Sequence, residues 1–301
     1  SGYSQYDILQ KFLIKQNDFL QHQINVQFSN STNVPRYDRL TDPKGSGLNS
    51  AEWYYGPQTR LLTAYDINYN NPNALFNSIH ANISYQYIVE SRHNRSFGKD
   101  NLSNRIEHVH AVGYSLDIVK QIKTDKIIFG VDGQYSMVIS KANKVDIITG
   151  EQSPLDTRYP NGKDNMNTFA VYATHIGKYG KHITINDGIR IGVSSLYARF
   201  NDTTFFKFPF QTVTQNNFTA SGNLGISYAP TDKWKIALLF NTGFRVPNID
   251  DLSKVFESAP GKIIVPNNKI KPEKTISGEL NIFKQFGIAL NGKMFFGQPI
   301  L

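Results

Sequence analysis

Phe218-Thr219-Ala220-Ser221-Gly222-Asn223-Leu224-Gly225-Ile226-Ser227-Tyr228 changes character at every residue. Phe218, Ala220, Gly222, Leu224, Ile226 and Tyr228 are apolar or small, and polar residues or glycine lie between them. Side chains of a β-strand point alternately to opposite faces, so a period of two sorts these residues into an apolar and a polar face. The pattern recurs on either side. Ile183, Ile185, Ile189, Ile191, Val193 and Tyr197 repeat it, interrupted at Asp187 and Ser195. Ile79, Ala81, Ile83, Tyr85 and Tyr87 oppose His80, Asn82, Ser84 and Gln86, and Ile276, Gly278, Leu280 and Ile282 oppose Ser277, Glu279 and Asn281. About twelve such segments follow one another, each of roughly 10–17 residues against about 5–6 for a globular strand.

The connections add a second rhythm. Short links are expected near 15–21, 70–73, 121–125, 178–181, 230–233 and 286–287, and long polar links near 30–52, 91–104, 141–166, 201–215 and 245–272. Short and long links alternate, as in a transmembrane barrel with tight periplasmic turns and long extracellular loops. The fold class expected is therefore all-β, a transmembrane antiparallel β-barrel. Because the first and last links are both short, the terminal strands would begin and end outside, whereas such barrels start and finish in the periplasm. An open edge in lipid leaves backbone groups unpaired. The expectation is a partial barrel over residues 1–301, about 12 strands of a larger wall of some 22.

Composition agrees and excludes several classes. Aromatic residues make up 13%, with 20 Phe and 16 Tyr against 3 Met, a balance that suits pleated surfaces. Cysteine is absent, which rules out disulfides and thiolate metal sites. The net charge is +8, but the basic residues are scattered without a stripe, so no nucleic-acid partner is expected. No window of 18 apolar residues exists to form a membrane helix, which leaves short alternating strands unaffected. Ser1 to Gln10 lacks the basic start and apolar stretch of a secretory leader.

Near the end, Gly243-Phe244-Arg245-Val246-Pro247-Asn248-Ile249-Asp250-Asp251-Leu252 precedes Val265-Pro266-Asn267-Asn268-Lys269-Ile270-Lys271-Pro272-Glu273. These stretches resemble the paired Phe-Arg-Ala-Pro and Asn-Pro-Asn-Leu-Lys-Pro-Glu motifs of TonB-dependent outer-membrane receptors. Val246 stands where the family usually has Ala, and Asn267-Asn268-Lys269-Ile270 is a loose form of the second motif. Asn33-Val34-Pro35-Arg36-Tyr37-Asp38-Arg39-Leu40-Thr41 resembles a loop of the haem and haemoglobin branch, and Asn167-Thr168-Phe169-Ala170-Val171-Tyr172 resembles a family strand opening. The resemblance implies a receptor of the Gram-negative outer membrane that takes up a scarce nutrient such as an iron chelate or haem. It implies an N-terminal plug that is not in this sequence, coupling to TonB through that plug, contact with lipid bilayer and lipopolysaccharide, and in some cases a surface lipoprotein. No cofactor of its own is expected; haem or a ferric siderophore would be cargo. The motif loop, 244–273, is expected outside the cell. The haem branch carries a His between the two motifs, and Ile249 to Val265 has none.

Candidate ligand-binding residues lie toward the outer rim. His108 and His110 share one face of a strand and His93 lies before them; such imidazoles can ligate a metal or haem iron, although exposed polar rim residues are the plainer account. Trp53-Tyr54-Tyr55 can stack on a ligand or form part of an interfacial aromatic girdle, the latter being the simpler account. Phe206 and Phe208 belong to a Phe-rich stretch inside a long loop, suited to a ligand or partner contact or to packing over the mouth. Asp250, Asp251 and Glu257 have no nucleophile or orienting partner, so no catalytic or metal site is expected. The competing reading is a self-contained pore or outer-membrane hydrolase of about twelve strands, with Ser115 and His110 as its only candidates. A soluble β-rich adhesin is a third, which the loop rhythm disfavours.

Overall fold

A computed structural model describes residues 2–162, 164–201, 204–205, 211–253, 256–259, 262–264, 267, 269–286 and 290–300. Twelve long strands form the wall. They are β1 (Gln5–Lys15), β2 (Leu20–Ser31), β3 (Thr59–Tyr69), β4 (Ser78–Ser96), β5 (Asn101–Ile122) and β6 (Asp125–Asp146). The second six are β7 (Asp164–Tyr179), β8 (Ile183–Arg199), β9 (Thr212–Thr231), β10 (Trp234–Arg245), β11 (Glu273–Phe286) and β12 (Leu290–Ile300). Each pairs antiparallel with its sequence neighbours, and among the described residues β1 and β12 are not joined. Helix is confined to Tyr37–Leu40 and Ile249–Ser253 among the described residues. The wall is thus an open meander of an antiparallel barrel, as the alternation requires.

One expected loop is absent. Residues 91–104 were expected as a long polar link, but β4 and β5 pair through Asn94 and Ser103, leaving only 97–100 between the strands. At ~3.3 Å per residue a 22-residue strand is about 70 Å long, and tilted by ~45° it still climbs about twice the ~25 Å apolar band. The outer halves of β4, β5 and β6 therefore stand above the membrane as a polar hairpin wall. Their composition resembles a loop because no lipid requires one face to be apolar there.

Register fixes the faces. Ile226 lies opposite Ile185 and Leu238, and Ser227 opposite Thr184 and Ala237. Ile191, Val193, Leu224, Ile226 and Leu280 are exposed on one side, and Ile282 shares it half-buried. Arg190, Asn223, Ser227, Glu279 and Asn281 alternate with them on the other. An apolar face this broad is stable only against lipid, which makes the polar face the lumen.

Around the lumen runs a belt of polar contacts. Asp66 accepts hydrogen bonds from Asn25 at 3.1 Å and Asn82 at 2.8 Å, and Arg190 holds Asp132 through Nε at 3.1 Å and Nη2 at 2.5 Å. Tyr172 crosses Gly130 to reach Asp117, and a side-chain carbon at position 130 would land inside its ring. Gly130→Val should expel Tyr172 and cost about 1–3 kcal/mol, the usual range of overpacking. Gly278→Ala is the control, since its added carbon meets only Phe240 at an ordinary 3.5 Å. Thermal unfolding of both variants in the full-length protein checks this, and equal melting temperatures would refute it.

Candidate functional site

The described parts of the links that follow β6, β8 and β10 meet at the end opposite the short turns. After Arg245 the chain turns at buried Pro247, and Asn248 caps the helix Ile249–Ser253. Asn248 Oδ1 accepts from the Asp251 amide at 3.0 Å while Asp251 Oδ2 accepts from the Asn248 amide at 3.0 Å. The Arg245 guanidinium donates to both Asp251 oxygens, at 2.6 and 2.8 Å, and to Glu273 at 3.0 Å. Arg245 and Glu273 face each other across β10 and β11, so the guanidinium clamps both ends of the loop at its base. Phe244 and Val246 flank it half-buried, and Asn267 is exposed; Pro266 and Asn268 lie outside the described residues. Arg245→Lys retains charge without the fork. It should hasten proteolysis or amide exchange between 246 and 272 almost as much as Arg245→Ala, and protection equal to wild type would count against the clamp.

Beneath the helix lies a compact apolar core. Ile249 and Leu252 pack on Leu196, Ala198, Phe200 and Val213, with Val138, Tyr159, Met166 and Ile270 around them. The helix of the motif loop is thereby packed onto the luminal face of β8 and β9. Two residues from another loop hold it there: Asp250 accepts from Tyr159 Oη at 2.7 Å and from Arg158 at 3.2 Å. Burial and then this hydrogen bond hold the Tyr159 phenol above its ordinary pKa, so it remains a donor throughout the neutral range.

Charged groups line the lumen just below. Glu107 is 3% exposed, and one of its oxygens accepts from Ser140 at 3.3 Å while the other has no hydrogen-bond partner among the described residues. Asp164 is fully buried, with one oxygen accepting from the Arg199 amide at 3.3 Å and the other without a hydrogen-bond partner among the described residues. Arg105 donates to both oxygens of Asp156, at 2.8 and 2.9 Å.

A second cluster forms where residues 50–55 continue the ladder of β4 beyond Gly56. Gly56 has φ of +114°, and a side chain there would press on the Thr32 carbonyl at 3.0 Å, so only glycine makes the bend easily. Alternation then splits the aromatic triplet. Tyr54 goes to the outer side and stacks on His93 at 4.7 Å. Trp53 and Tyr55 turn inward, with the Arg36 guanidinium over their rings at 5.0 and 5.3 Å and Arg92 over Tyr55 at 5.6 Å. Arg36 also donates to Asp38, which holds that carboxyl below the usual range. A girdle accounts for Tyr54 alone.

The imidazoles go elsewhere. His108 and His110 share the face of Tyr114, Leu116 and Ile118, so both point away from the lumen. His93 is held on the outer side by Asn104 at 2.6 Å and Ser91 at 2.9 Å. His80 faces the lumen from β4, 3.5 Å from both Asp66 and Asp117. Phe206 and Phe208 lie outside the described residues. The mouth therefore gathers Arg36, Arg92, Trp53, Tyr55 and the Glu107–Arg158–Tyr159–Asp250 group. Of these, sequence reasoning reached Trp53, Tyr55 and, without a partner, Asp250. Arg105 and Glu107 carried a signal, being charges two apart on the luminal register.

The described chain is thus an antiparallel wall with one apolar and one polar face, and parts of its long links pack on the polar side. The sequence model of the family described as TonB dependent receptor-like, beta-barrel, matches residues 5–295. The chain belongs to the TonB-dependent receptor family. Its place is the bacterial outer membrane, and the family consists of transport receptors, which does not favour the pore or hydrolase. The copper transporter OprC superposes with a TM-score of 0.77 at 12% identity, over 94% of this chain and 43% of that one. The hemophore receptor HasR of Serratia marcescens, solved with its hemophore HasA and heme, gives 0.67 at 11%, over 94% and 42%. The ferric yersiniabactin uptake receptor FyuA of Yersinia pestis gives 0.62 at 15%, over 95% and 43%. This chain thus spans less than half the length of these TonB-dependent receptors. No curated protein sequence matches it.

Proposed function

We propose that the complete TonB-dependent receptor captures a ferric chelate at this mouth and passes it through the barrel. A plug gates the passage, TonB supplies the energy, and a surface lipoprotein is a further partner on the outside. One observation carries the choice of cargo: Arg36 and Arg92 lie over Trp53 and Tyr55 on the inner side of the rim. Guanidinium groups beside aromatic rings suit an anionic ferric chelate, whose negative charge the guanidinium groups meet and whose unsaturated ligand arms can stack on the rings. Haem is the second reading, supported by the resemblance of 33–41 to the haem branch. Against it, His93, His108 and His110 point away from the lumen, and His80 is engaged with two carboxylates.

Binding to the full-length receptor decides between them. Ferric chelates should quench tryptophan emission, and Arg36→Ala with Arg92→Ala should weaken binding about tenfold, from ~1–2 kcal/mol of cation–π and charge contact. A haem titration followed at the Soret band should show weak binding, unchanged by Ala at His93, His108 and His110. Tight haem binding lost in that variant would overturn the outward placement of these imidazoles. Tight binding that survives it would favour haem, ligated elsewhere in the receptor.

A further inference from the structure

Arg36 and Arg92 share the Tyr55 ring but differ in what already holds them. The Arg92 guanidinium lies 5.6 Å from the centre of that ring and, among the described residues, makes no hydrogen bond and no ion pair. The edge of Arg36 formed by Nε and Nη2 is closed: Nε donates to Asp38 Oδ1 at 2.7 Å, and Nη2 donates to Oδ2. Nη1 donates to the Tyr55 hydroxyl. Two parallel N–H donors are the fork with which a guanidinium takes a carboxylate ligand. Asp38 thus occupies the position that an anionic cargo would use.

The two partners are anchored differently. Arg36 rides on the wall: its amide donates to the Trp53 carbonyl at 2.9 Å, Pro35 pairs with Tyr54, and residues 50–55 continue the β4 ladder. Its side chain is 28% exposed, whereas that of Asp38, on the single helical turn Tyr37–Leu40, is 58% exposed. Backbone bonds close that turn, with the Arg39 and Leu40 amides donating to the Arg36 carbonyl at 3.1 and 3.0 Å. The carboxylate therefore leaves Arg36 by side-chain rotation, and no helical hydrogen bond breaks. A second cation is within reach, because Arg39 Nε lies 4.0 Å from Asp38 Oδ2. Exposed ion pairs contribute little net stability, so a ligand of higher charge displaces this carboxylate at small cost.

We propose that Asp38 is a built-in competitor for the cargo. It keeps the Arg36 fork closed until an anionic arm of the chelate, first drawn to Arg92, takes its place. The inference rests on the reading of this mouth as a ferric-chelate site. It makes the site selective, since an uncharged chelate gains nothing that offsets the lost Arg36–Asp38 pair.

Tryptophan quenching in the full-length receptor tests it, with ferric citrate as the anionic probe and an uncharged ferric trihydroxamate as the neutral one. Asp38→Asn and Asp38→Ala should each bind ferric citrate about fivefold more tightly than wild type, the factor expected for removing one exposed ion pair. Asp42→Asn removes the same charge from the same loop, where it pairs with Arg39, and should leave affinity close to wild type. In an Arg36→Ala background the Asp38 substitutions should lose their effect. The neutral chelate should not distinguish wild type from Asp38→Asn. Phenylglyoxal, which attacks unpaired guanidinium groups, gives a reading that needs no cargo. It should modify Arg92 faster than Arg36 in wild type, and both at similar rates in Asp38→Ala. Unchanged ferric citrate affinity in the Asp38 variants, or an equal gain from Asp42→Asn, would overturn the proposal. Equal modification of Arg36 and Arg92 in wild type would overturn it while leaving the cargo reading intact. If ferric citrate bound neither wild type nor the Asp38 variants, the cargo reading would fall and the proposal with it.

Discussion

Ile226→Lys should destabilise the folded receptor by about 2–4 kcal/mol, and Ser227→Lys by far less, although the two positions are adjacent. Ile226 is exposed on the apolar face, between Ile185 and Leu238, and a charge there must enter hydrocarbon. Ser227 stands between Thr184 and Ala237 on the wet face, where an ammonium keeps its water. Urea unfolding of the full-length protein in lipid vesicles reads the difference. Equal costs at both sites would contradict the facing of the whole wall, because register ties these positions to every neighbouring strand.

Leu252→Ala should cost about 2–5 kcal/mol, the range for emptying a packed leucine site. Leu252 is fully buried among Leu196, Ala198, Phe200 and Val213, the one compact apolar core among the described residues. The loss should be local, because the ladders of β8 and β9 close without it. The expected signature is faster amide exchange and proteolysis across 246–272 with the strands still protected. A Tyr159→Phe variant removes the hydroxyl that Asp250 accepts and should loosen the same segment to a smaller extent. If Leu252→Ala left the loop as protected as in wild type, the folding of the motif loop onto the wall would be wrong.

The wall was legible because its cause is local. Each strand from Ile79–Tyr87 to Ile276–Ile282 carries its own period of two, and a meander needs no long-range information to order the strands. The loop rhythm was legible except at 91–104, where strand pairing outlasts the membrane and polarity no longer separates strand from link. The mouth was less legible because its contacts join distant residues. Nothing local to Leu252 points to Leu196, and nothing local to Asp250 points to Tyr159, 91 residues away. The Arg36 cluster depends on the bend at Gly56, which decides that Trp53 and Tyr55 turn inward while Tyr54 turns out. The facing of His108 and His110 was available from their parity with Tyr114, Leu116 and Ile118. That register agrees with the plainer account of them as polar residues near the outer rim.

The central claim is that one face of this sheet meets lipid and the other meets the aqueous lumen of a TonB-dependent receptor. Spin labels placed singly at residues 223 to 228 of the full-length protein in bilayers test it most directly. Labels at Leu224, Ile226 and Tyr228 should relax with membrane-dissolved oxygen, and labels at Asn223, Gly225 and Ser227 with a water-soluble paramagnetic complex. The two accessibilities should alternate out of phase with a period of two. Accessibilities without that alternation, or with the phases exchanged, would contradict the account.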